Sequence, residues 1–175
     1  MQGSPVQLRS CPFFSRPIFW AAAAVWLGGL AAVAFGIFGI HTLFFSTTVV
    51  EEFSASDGRW VATGLFHDVL HKGQSGEARI YRTDSGGHLL RLENLSVDNG
   101  PNLHVYVLAA EDATDNQTVQ NSRRLELGAL KGNKGGQTYP LPAEFDPSRH
   151  RAVTVWCRRF GVNFATAPLK PAKGS

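Results

Sequence analysis

Hydrophobic and polar positions divide this chain into two unlike parts. Residues 18–40 read IFWAAAAVWLGGLAAVAFGIFGI, without a single charge. As an α-helix rising about 1.5 Å per residue, that run extends roughly 34 Å, enough to cross the hydrocarbon core. A helix also satisfies its backbone hydrogen bonds internally, as lipid requires. Trp20 and Trp26 near its start, and Phe44 and Phe45 beyond its end, suit the two interfaces. The pattern predicts one N-terminal transmembrane helix, at 18–45 with its flank. The alternative is a cleaved signal peptide, whose apolar core usually runs about 7–15 residues. This run is longer, and His41-Thr42-Leu43-Phe44-Phe45 makes a poor cleavage site, with Ser46-Thr47-Thr48 as the fallback.

Beyond Val50 the pattern changes to short β-forming runs broken by turn residues. Residues 46–58 are polar and aperiodic, which predicts a tether. Strands are predicted at 60–66, 76–81, 89–97, 103–108, 125–130, 137–141, 152–157 and 162–167. Ser85-Gly86-Gly87 and Asp98-Asn99-Gly100-Pro101 are turn signals between them. The polar stretch 111–122 predicts an exposed loop, and 131–136 a glycine-rich one. No helical stripe follows Val50. Strands at this spacing predict an all-β domain over 59–170, an antiparallel β-sandwich of jelly-roll-like or barrel-like form, with 171–175 as a tail.

Charge orients the two parts. Arg9 and Arg16 precede the apolar run, and no acid occurs before Glu51. Residues 1–17 are thereby expected in the cytoplasm and the β domain outside, at the cell membrane. The whole chain carries +3, but removing Arg9 and Arg16 leaves 15 bases against 14 acids. The domain is therefore nearly neutral, and a nucleic-acid partner is not expected.

Cysteine usage sharpens the picture. Cys11 and Cys157 are the two cysteines, and they fall on opposite sides of the predicted membrane. Cys157 has no partner within its domain. Strand period 2 puts Val153, Val155 and Cys157 on one face and Thr154 and Trp156 on the other. A free cysteine there is either core filler or a working thiol. Its place at a strand end, followed by Arg158 and Arg159, favours thiolate, the nucleophilic and metal-binding form. His67 and His71 are spaced i, i+4 but flanked by glycines, so they read as loop residues. No metal cluster, G-x-S-x-G elbow or phosphate-binding loop is present, which leaves a conventional enzyme poorly supported.

Four blocks, in order, resemble one family. They are Gly64-Leu65-Phe66 with His71, Gly76 and Ala78-Arg79-Ile80; Leu90-Arg91-Leu92-Glu93 leading to Gly100-Pro101-Asn102-Leu103 and Val105-Tyr106-Val107; Leu127-Gly128-Ala129-Leu130-Lys131-Gly132-Asn133 with Gly135, Gln137, Tyr139 and Leu141-Pro142; and Val155-Trp156-Cys157 with Phe160, Phe164 and Ala167-Pro168-Leu169. Together they resemble the DM-thirteen domain over about 64–169. Asn102 stands where an aspartate is usual, Gly136 where a polar residue is common, and Asn163 and Ala165 where proline and glycine are usual.

The resemblance implies a β-rich fold and a proposed role in electron transfer or cell-surface oxidation. It implies that Cys157 acts as a bare redox thiol or holds a prosthetic group such as haem, with His71 as second ligand or proton partner. Asn102 or Tyr106 would border such a site. The cofactor is left open between haem and none. The partner would be an unidentified redox or envelope protein. The rival expectation is a non-catalytic binding or scaffold module in which Cys157 is structural.

Overall fold

The computed structural model describes residues 17–37, 46–53 and 59–172. The chain divides into two units, residues 1–41 and 42–175. In the first, α1 covers Pro17–Ile37 and carries no charge. Its side chains are described for 20–33 only, and Trp20, Val25, Trp26, Leu27, Leu30 and Val33 are exposed. Among the described residues no helix is long and apolar enough to cross a membrane. Residues 38–45, where the expected span ends, lie outside the described residues.

The second unit is built from β1 (Thr48–Val50), β2 (Arg59–Leu65), β3 (His67–Asp68), β4 (Ser75–Arg82), β5 (His88–Ser96), β6 (Leu103–Leu108), α2 (Asn116–Asn121), β7 (Arg124–Ala129), β8 (Lys134–Leu141), β9 (Ala152–Cys157), β10 (Val162–Pro168) and β11 (Lys170–Pro171). One sheet has the order β1-β8-β5-β4-β2-β11 and the other β3-β10-β9-β6-β7. All pairings are antiparallel except β1 with β8. The sheets share one core, so the expected sandwich is seen. They stay open, each with two edges, so the barrel-like form is corrected.

Alternation explains the core. In β4, Ala78 and Ile80 point inward while Glu77, Arg79 and Tyr81 point out. In β5 the pattern would turn Asn94 inward after Leu90 and Leu92. Asn94 instead takes φ 48°, the ladder shifts register, and Leu95 faces the core. Burying such an aliphatic side chain contributes roughly 1.5–3 kcal/mol. The chain changes sheets twice at one corner, at buried Phe66 between β2 and β3 and at buried Leu169 between β10 and β11. Gly64 permits this, because a Cβ there would run into the Pro168 carbonyl.

Three expectations are corrected. The segment expected as a tether contains β1, which pairs Thr48 with Lys134 in parallel. Its Glu51 carboxylate accepts from Thr138 N at 2.7 Å and pairs with Lys131 at 2.6 Å. The loop expected over 131–136 ends early, since β8 begins at Lys134. The loop expected over 111–122 contains α2, N-capped by Asp115, whose carboxylate accepts from Thr118 N at 2.7 Å.

The α2 segment closes the outer face of the second sheet. Val119 and Ala113 pack on Tyr106, Leu108, Ala152 and Trp156 as a second apolar cluster. His67 ties it down, with Nε2 2.8 Å from Asp112 Oδ1. Burial alone would lower the His67 pKa, but bonding to Asp112 and to the Asp68 carbonyl outweighs it and raises the value. A raised folded pKa means that the stability from this pair is fully present below about pH 6.5, the unfolded value. It is lost as pH rises through the folded pKa. The difference in Tm between the wild type and His67→Gln should therefore shrink from acid to mildly alkaline pH. A difference that grows with pH would contradict the assignment.

Candidate functional site

Cys157 is the last residue of β9, beside Leu103 of β6 and Val162 of β10. It is 0% exposed, on the inner face with Val153 and Val155. The face assignment from strand alternation is seen in the structure. Its Sγ donates to the Pro101 carbonyl at 3.1 Å. Turn 98–101 therefore lies over the thiol.

That turn is fixed from both sides. Asp98 N donates to Gln74 Oε1 at 2.9 Å, and Val97 N donates to the Asn133 carbonyl at 2.9 Å. Asn133 Nδ2 returns a bond to the Val97 carbonyl at 3.0 Å. Asn102 follows with φ 70°, a left-handed geometry that asparagine tolerates, and its carbonyl accepts from Arg158 N at 3.1 Å. A side chain at Gly100 would meet Leu103 and Phe164, so the space above Cys157 is packed.

The expected helpers are elsewhere. His71 is exposed and sits 3.2 Å from Asp98 Oδ2, on the outer rim of the same turn. No hydrogen bond or ion pair links it to Cys157. Arg158 points to the opposite face and pairs with Glu126 at 3.0 Å, and Arg159 is exposed. The local positive charge expected for the thiol is therefore not delivered. Strand alternation is the reason: an inward Cys157 turns Arg158 outward. Tyr106 also faces away from Cys157, in the cluster under α2. Burial first, then the Glu126 charge, raise its pKa. Tyr106, Arg124, Glu126, Trp156 and Arg158 line a shallow cleft on that outer face.

A haem does not fit these residues. The thiol is enclosed, its sulfur is engaged by Pro101, and His71 faces solvent. Among the described residues no group of three His, Cys, Asp or Glu side chains could hold a metal ion. The arrangement offers one shielded thiol beneath one surface turn.

A family model described as "Electron transfer DM13" matches residues 66–169, more than half of the chain. The chain belongs to the DM13 family. No curated protein and no solved structure matches it. The DM13 match spans both sheets from β3 to the end of β10, and so includes Cys157, the turn above it and His71.

Sequence reasoning missed a buried polar knot in this DM13 domain. Asn163 is 0% exposed, and its Oδ1 accepts from Thr154 Oγ1 at 2.6 Å. Its Nδ2 donates to the Ala113 carbonyl at 3.0 Å and to Thr166 Oγ1 at 2.9 Å. Its backbone N donates to Asn116 Oδ1 at 2.7 Å. The resemblance carried the signal, since it implies a proline at the position of Asn163. A proline could make none of these bonds.

Proposed function

We propose that this chain is a membrane-tethered electron-transfer module in which Cys157 is a latent thiol. Turn 98–101 protects it in the ground state, and it reacts only when that turn lifts. The observation that carries this reading is the Sγ to Pro101 contact. Pro101 of turn 98–101 accepts from the sulfur, and that turn is exposed at Asp98 and partly exposed at Asn99 and Gly100. Local openings of surface turns can need less free energy than global unfolding. Once uncovered, the thiol gives its proton to water and attacks the disulfide of a partner protein. A mixed disulfide forms, and the partner's other sulfur leaves as a thiol.

The anchor belongs to the same reading. Residues 18–40 form an uncharged run of 23, longer than the described side chains of α1, and Arg9 and Arg16 before it support a cytoplasmic start. The DM13 domain then faces the extracytoplasmic side, where a single thiol meets oxidising partners.

Loosening the turn tests the thiol assignment. Pro101→Gly keeps the accepting carbonyl but widens the unfolded freedom of the turn, at a cost of about 1 kcal/mol. The rate of Cys157 modification by a disulfide reagent should rise roughly fivefold, while the free energy of global unfolding falls by the same ~1 kcal/mol and stays above that of turn opening. An unchanged rate would count against turn opening as the route.

The second reading has its own observation. Cys157 completes the inward face of Val153 and Val155 and is wholly buried, as structural core cysteines are. On that reading the domain is a binding or scaffold module of the cell envelope, and modification requires global unfolding.

A further inference from the structure

Hydrogen bonds join five separate segments into one end of the DM13 domain. Loop 69–74 is tied to turn 97–102 through Gln74 and Asp98. Turn 97–102 is tied to loop 130–133 through Val97 and Asn133. Asn133 Oδ1 accepts from Thr47 N at 2.7 Å, which is where the chain enters the domain. Arg158 N, opening turn 158–161, donates to the Asn102 carbonyl.

This end carries exposed apolar and basic side chains together. Phe160 is 64% exposed and Leu70 is 42% exposed, each at a loop tip. Around them Lys72, Lys134, Arg158 and Arg159 are exposed. The opposing acids are largely engaged locally, Asp98 with His71 and Glu126 with Arg158. Protruding apolar side chains set among bases match a lipid interface with anionic headgroups, where the rings enter the headgroup boundary and the cations stay above it.

Chain length points to the same partner. Seven residues separate Ile40, the end of the apolar run, from Thr48. Fully extended they reach at most about 25 Å. The domain's entry point is thus covalently leashed close to any bilayer that holds the run.

We propose that this end of the domain docks on an anionic lipid surface through Phe160 and Leu70, with Lys72, Lys134 and Arg159 facing the headgroups. The inference rests on the membrane tethering above. Docking would hold turn 98–101, and Cys157 beneath it, at the bilayer surface.

The test uses the full chain in lipid nanodiscs of phosphatidylcholine with phosphatidylglycerol, doped with a headgroup-nitroxide lipid. Amide signals of 70–73 and 158–161 should lose intensity, while those of 84–87 and 148–149, at the opposite ends of the strands, should keep it. Phe160→Ser combined with Leu70→Ser should restore the lost signals. Equal loss at both ends, or no loss at 70–73 and 158–161, overturns the docking. Alkaline carbonate extraction separates the two claims. A chain that stays with the bilayer but shows silent loops is tethered and undocked. A chain that is extracted has lost the tether, and the docking falls with it.

Discussion

Asn163→Ala should cost about 3 kcal/mol, one of the two largest effects expected from a single side chain here. The substitution strips the Ala113 carbonyl and Thr166 of a donor and Thr154 of an acceptor, all at buried positions. It also leaves a small cavity beneath the segment that carries α2. The expected readouts are a fall in Tm of roughly 10 °C and early loss of amide protection over 109–121. Asn163→Asp should be no better, because a carboxylate cannot donate to the Ala113 carbonyl. A stability unchanged from wild type would mean that the knot is ornamental and that the apolar contacts of Val119 alone hold the cover.

Gly64→Ala should be comparably damaging, at about 3 kcal/mol, for an opposite reason. The added methyl would collide with the Pro168 carbonyl, a backbone group that cannot swing aside as a flexible side chain would. Relief requires β2 and β10 to separate where the chain crosses between sheets. The urea midpoint should fall with its slope preserved, which reports lost stability without a changed unfolded state. A midpoint within error of wild type would show that the corner is looser than the packing implies.

Both effects lie in features that a single sequence conveys unequally. The strands at 103–108 and 152–157 were legible to the residue, because β-branched and aromatic runs there are bounded by Pro101-Asn102, Arg151 and Arg158. The pairing of β1 was not, since three residues cannot announce a parallel partner more than 80 positions away. Nor was α2, which is polar except for Val119, the one residue it buries. Its helicity comes from the Asp115 cap and from docking on the sheet, and a hydrophobic stripe has no part in it.

The site was legible by half. Alternation correctly put Cys157 with Val153 and Val155, yet it could not say whether that face met solvent. In β9 every residue is buried, because the shared core covers one face and the α2 segment much of the other. The same alternation, applied one residue further, turns Arg158 away from the thiol. His71 was placed near the site by family likeness and does reach the turn, but on its outer rim. What links it to Cys157 is turn 98–101, met by His71 at the Asp98 carboxylate and by Cys157 at the Pro101 carbonyl.

The central claim is that Cys157 becomes reactive through a local opening. The most direct measurement is its modification rate in native protein as a function of urea, in a Cys11→Ser background. Local opening predicts a shallow urea dependence and an opening free energy below that of global unfolding. A rate that tracks global unfolding in both slope and free energy would contradict the account and leave Cys157 as a structural thiol.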